Sequence, residues 1–78
     1  MSAGAIRSEV RLAGDIADQF RHKPEELAAE AVANHIKMFW DPRMRTGLRA
    51  AHVGGEIDDS IVARAATILE GATASGSR

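Results

Sequence analysis

Apolar residues recur at helical spacing along almost the whole chain, and they do not alternate as strand residues would. From Ile6 to Arg21, one side of the wheel collects Ile6, Val10, Leu12, Ala13, Ile16, Ala17 and Phe20. The other side collects Arg7, Arg11, Asp15 and Asp18. This pattern predicts a first helix, on which Arg11 and Asp15 have the i,i+4 spacing of an ion pair. His22-Lys23-Pro24 interrupts it, because proline disfavours a helical residue before it and suits a first helical position itself. A second helix is predicted from Pro24 to Trp40, with Glu25 and Glu26 in a first turn whose dipole favours carboxylates.

Asp41-Pro42 starts the chain again, with Asp41 as cap and Pro42 at the first helical position of a third helix. Met44, Leu48 and Ala51 form its thin apolar stripe, and Arg45, Arg49 and His52 run along the flank. That helix should end near Val53, before a turn at Gly54-Gly55. A fourth helix is expected with Asp58 as its cap and Ile57 stapled onto Val62. Its buried face is Ile61, Val62, Ala65, Ile68 and Leu69, and Gly71 is its expected stop. Residues 1–4 are expected to be a flexible lead and residues 72–78 a flexible tail. Together these elements predict an all-α fold, a small three- to four-helix bundle. Two longer antiparallel helices come first and two short crossing helices follow, with residues 1–71 as a single helical domain.

The second helix is unusual. Leu27, Ala28, Ala31, Val32, His35, Ile36, Met38, Phe39 and Trp40 cover an arc of roughly 220°, well beyond a normal amphipathic stripe. Glu26, Glu30, Asn34 and Lys37 form its polar side. So few short helices are not expected to cover such an arc, which points to a partner protein.

Composition agrees with a dependent molecule. The chain has 78 residues, and a domain of this size buries only about 60% of its unfolded surface. Ala supplies much of the apolar content and aromatics are 4%, so the core returns little area per residue. There is no Cys, which excludes disulfides and thiolate-held metal and fits a reducing cytoplasm. A net charge of −1 is too small for a general nucleic-acid or membrane-surface binder. No apolar run reaches the roughly 20 residues of a membrane span, and no signal-peptide stretch is evident. A cytoplasmic protein is expected.

Catalytic patterns are missing. His22, His35 and His52 do not pair at metal-binding spacing, no serine has a His and a carboxylate near it in sequence, and Gly54-Gly55 lacks a phosphate-loop setting. No catalytic, cofactor-binding or metal-binding residue is therefore assigned. The informative segment runs from Asn34 to Arg45 and holds the only Trp, one of the two Phe and a run of basic side chains. Trp and Arg are enriched at interface hot spots. Asn34, His35, Lys37, Trp40, Arg43, Arg45 and Arg49 are the expected partner-binding set, with Phe39 read as core. On that reading Trp40→Ala weakens association more than it lowers helicity. His35 is weighed between a partner contact and a structural imidazole bonded within the fold.

That segment carries a resemblance. Ala33-Asn34-His35-Ile36-Lys37-Met38-Phe39-Trp40-Asp41-Pro42-Arg43-Met44-Arg45 is similar to the signature of the delta subunit of NAD-dependent formate dehydrogenase, the multisubunit molybdenum- or tungsten-containing type. Leu12 to Phe20 keeps the apolar frame of that family's first helix, and Ile57 to Leu69 matches in pattern. The resemblance implies a short, helical, non-catalytic accessory subunit. It implies an alpha subunit as direct partner, which holds a bis-pterin guanine dinucleotide centre of Mo or W and iron-sulfur clusters. Beta and gamma subunits of the same complex would carry FMN, further clusters and the NAD site. No cofactor is expected on this chain, since clusters are anchored by cysteine thiolates. A small helical DNA-binding domain, suggested by the Arg45/Arg49 stripe, is the competing expectation. A part in cofactor insertion through His35 or the arginines is a third.

Overall fold

The computed structural model describes residues 7–76, with side chains through Gly71. The expected lead at residues 1–4 lies outside the described residues, as does the end of the expected tail. Four helices follow one another: α1 (Ser8–Asp18), α2 (Glu25–Phe39), α3 (Pro42–Val53) and α4 (Ser60–Gly76). No strand occurs among the described residues, and the all-α bundle stands as expected.

The lengths redistribute the architecture. α1 is the shortest helix at 11 residues and α4 the longest at 17. The most extensive helix–helix contact is between α2 and α4, not between the first two helices. α2 and α4 run in the same sense. Glu25 at the start of α2 accepts from Ser60 (3.1 Å) and from Arg64 Nε (2.8 Å) at the start of α4. Lys37 near the end of α2 lines a groove with Ala66 to Gly71 of α4. Helix α3 makes the return that lets two parallel helices share one small bundle.

Caps decide where elements begin. Pro24 stands just outside α2 in an extended conformation (φ −53°, ψ 146°), so the helix begins at Glu25, one residue later than expected. Asp41 caps α3 as expected, its Oδ1 accepting from the Met44 N–H at 2.9 Å, with Pro42 at the first helical position. The cap of α4 is Asp59, not Asp58: its Oδ1 accepts from the N–H of Ile61 (3.0 Å) and of Val62 (3.4 Å). Both aspartates are short enough to cap. Asp59 is selected because it also pairs with Arg21. The one-residue shift removes the register for an Ile57–Val62 staple, and Ile57 instead packs half-buried against the core. Gly55 takes the left-handed conformation (φ 72°) that closes the turn after α3. Gly71 does not stop α4, which continues to Gly76.

The core is built mainly from small side chains. Ala13, Ala17, Ala28, Ala29, Ala33 and Ala65 pack with Ile16, Val32, Ile36, Leu48, Ile61 and Val62 around Trp40. Alanine lets helix axes approach closely while contributing little area each. Between α1 and α3 the Glu9 carboxylate lies over Gly47, where a Cβ would come within 2.7 Å of Oε2 and turn that flexible side chain aside. Ion pairs fasten the outside. Arg7 meets Glu56 at 2.9 Å, and Arg21 bridges Asp18 (2.6 Å) and Asp59. The expected Arg11–Asp15 pair does not form.

Candidate functional site

The junction of α2 and α3 carries the segment that the sequence singles out, and the structure sorts its residues into three environments. Trp40 is 8% exposed and belongs to the core. Phe39 is 69% exposed and Met38 75%. This corrects both aromatic assignments. Phe39 is a surface ring and Trp40 a core residue, because at about 100° per residue Trp40 falls on the buried side of α2 with Ala29, Ala33 and Ile36 and Phe39 falls away from it. Trp40 is therefore no anchor presented to a partner. His35 is half-buried, and its ring lies 4.7 Å from that of Phe39 with planes inclined at 40°.

The exposed apolar residues of α2 are ordered. Leu27, 52% exposed, shares one side of the helix with Ala31 and Met38. These three fall within about 40° on the wheel at 100° per residue. The His35–Phe39 pair continues the surface at the C-terminal end of the helix. The opposite side, with Ala29, Val32, Ala33 and Ile36, is buried. Part of the wide arc is thus enclosed by α4 and the other helices, and part is left open. Asn34 on the same helix is exposed.

The basic residues divide as well. Arg43 is exposed and, among the described residues, has no hydrogen bond or ion pair. Lys37, Arg45 and Arg49 line an open groove of about 1020 Å³ between α3 and α4, floored by Leu48, Ala66 and Leu69. Arg49 Nε donates to Glu70 Oε2 at 2.8 Å across it. Arg45 is half-buried, and its Nε is shielded from water without an acceptor. A buried donor left unpaired costs about 1–3 kcal/mol. At the end of α3, His52 Nε2 sits 3.1 Å from Thr67 Oγ1, which also lies 3.1 Å from the Ala63 carbonyl oxygen.

The α4 wall of the groove, with Thr67, Leu69 and Glu70, was not among the sequence candidates. No local pattern marks it, since Arg49 and Glu70 stand 21 positions apart. The chain has no Cys, and among the described residues no group of three or more metal-ligating side chains gathers. These residues do not fit an iron-sulfur cluster. No helix among the described residues is long and apolar enough to cross a membrane.

The described residues form a small all-α bundle that leaves apolar side chains of α2 exposed and carries a groove edged by Lys37, Arg45 and Arg49. Residues 10–66 match the family described as NADH-dependant formate dehydrogenase delta subunit FdsD, and the chain belongs to that family. The match covers most of α1 and all of α2 and α3, and reaches into α4. Neither the curated proteins nor the solved structures offer a match. The family makes this chain a delta subunit within an NAD-dependent oxidoreductase complex, in association with other formate dehydrogenase subunits.

Proposed function

We propose that this delta subunit is a non-catalytic accessory piece that packs directly on the catalytic alpha subunit and supports the assembly or stability of a cytoplasmic complex. Formate oxidation is then the work of the other subunits. The alpha subunit would hold the bis-pterin guanine dinucleotide molybdenum or tungsten centre with iron-sulfur clusters. The beta and gamma subunits would hold FMN, further clusters and the NAD site. The observation that carries the reading is the open face of α2. Met38 and Phe39, 75% and 69% exposed, leave apolar surface uncovered in a molecule this small, and such patches mark interaction sites. The chain has no cysteine thiolate to ligate a cluster, which fits a supporting role.

Contacts are assigned to Leu27, Asn34, His35, Met38 and Phe39 on α2, with Lys37, Arg43, Arg45 and Arg49 beside them. A nucleic-acid partner is not proposed, since a net charge of −1 offers little of the phosphate neutralisation that such binding relies on. The test is co-expression of a tagged chain with the alpha, beta and gamma subunits. The tagged wild type should retain the alpha subunit through purification, and a Met38→Ser/Phe39→Ser double variant should lose most of it while keeping its helicity. Retention of the alpha subunit by the double variant at the wild-type level would remove the α2 face from the interface.

A further inference from the structure

We infer that the groove between α3 and α4 receives an acidic, partly apolar segment of a neighbouring formate dehydrogenase subunit, with Arg45 as the partner of its carboxylate. This rests on the reading of the chain as a docking subunit, and adds the chemistry of what docks and where. The groove volume of about 1020 Å³ suits several residues of polypeptide rather than a single small anion. Its floor is apolar, with Pro42, Leu48, Ala66 and Leu69, which a phosphate would not favour and a Leu or Val side chain would. Its edges are cationic. Lys37 and Arg45 have no ion pair among the described residues, whereas Arg49 already holds Glu70 at 2.8 Å.

That occupied pair shows a guanidinium and a carboxylate fitting together within this groove. Arg45 places a second guanidinium on the α3 wall, with no ion pair among the described residues. A planar guanidinium binds carboxylate through two parallel bonds. Glu70 in the wall and the near-neutral charge of the chain turn away nucleic acid, whose phosphates come as an unbroken series.

A photo-crosslinking residue at Thr46, on the groove wall, tests this in the assembled complex. The tagged full chain is co-expressed with the other subunits, irradiated, digested and analysed by mass spectrometry. The expected product joins Thr46 to a segment of another subunit that contains Asp or Glu beside apolar residues. Arg45→Gln should lower the yield about tenfold, the size of one lost charge-assisted contact. Circular dichroism checks that this variant folds. Should it not, Lys37→Gln replaces it, with a smaller loss in the same direction. The crosslink should also fade with rising salt. The inference is overturned if the complex stays intact while the probe captures no subunit, captures a segment without carboxylates, or gives an unchanged yield in both variants. If no subunit accompanies even the wild-type chain, the docking reading itself fails, and this inference with it.

Discussion

Phe39 and Trp40 stand about 100° apart around the end of α2, and that one step turns the indole into the core and the Phe39 ring toward solvent. The consequence for substitutions is opposite at adjacent positions. Trp40→Ala removes a core indole that is 8% exposed. Its expected cost is about 3–5 kcal/mol, a large share of the total stability of so small a domain. Thermal unfolding of the isolated chain should therefore drop sharply, and lost association would follow from lost folding. This reverses the sequence expectation for the same substitution. Phe39→Ala should change stability by no more than about 0.5 kcal/mol, as surface substitutions do, and yet weaken retention of partner subunits. A Phe39→Ala chain that unfolds like Trp40→Ala would contradict this division.

Helices are held in place at their ends, so the element-scale predictions concern caps and turns. Asp59 caps α4 and pairs with Arg21. The hydrogen bond from Arg21 holds its carboxyl below the usual aspartate range, against the opposing effect of burial, with the Val62 and Ile61 amides helping. Glu25 is lowered likewise, first by Arg64 and then by Ser60. Both carboxyls have a lower pKa folded than unfolded. Their stabilisation is then complete above the unfolded value, about pH 4, and is lost as the pH falls through the folded one. Melting temperature should accordingly fall on the acid side. Asp59→Asn, which still caps, should flatten that acid limb, and Asp59→Ala should cost about 1 kcal/mol more through the lost cap. An unaltered acid limb in Asp59→Asn would show that the Arg21 pair contributes nothing. Gly55 is the second such point. At φ 72°, Gly55→Ala should destabilise by about 1–2 kcal/mol, measurable as a lower urea midpoint, although a Cβ there would meet no atom within 4 Å.

For the whole molecule, two surfaces of different chemistry follow from one packing arrangement. The uncovered side of α2 is apolar, and the α3–α4 groove is edged by cations. Apolar contact is little affected by salt, whereas charge pairing at an exposed edge weakens as the Debye length shrinks to about 8 Å near physiological ionic strength. Retention of partner subunits by an Arg45→Gln chain should thus be less salt-sensitive than that of the wild type. A Met38→Ser chain should be weaker at every salt concentration and keep the wild-type slope. Identical salt slopes for Arg45→Gln and the wild type would leave the groove without an electrostatic role. Family membership places this chain among formate dehydrogenase subunits, and these two surfaces are the ones proposed to meet them.

Most of the fold was legible along the chain because helices are local. Periodicity marked four helices, Asp41-Pro42 marked the start of α3, and Gly54-Gly55 marked its end. The segment from Ala33 to Arg45 was enough to suggest the family. What needed the tertiary structure was every choice between equivalent local options. Asp58 and Asp59 are both able to cap, and the reach of Arg21 from the end of α1 selected one. Phe39 and Trp40 are both apolar, and where the other helices pack around the end of α2 decided which is enclosed. The arc of α2 was visible as too wide, but which part stays open depended on where α4 lies. Arg49 and Glu70 face each other only because α3 and α4 pack together. Sequence spacing fixes a residue's angle on its own helix, while the neighbours at that angle come from distant segments whose arrangement is set by the packing of the entire core.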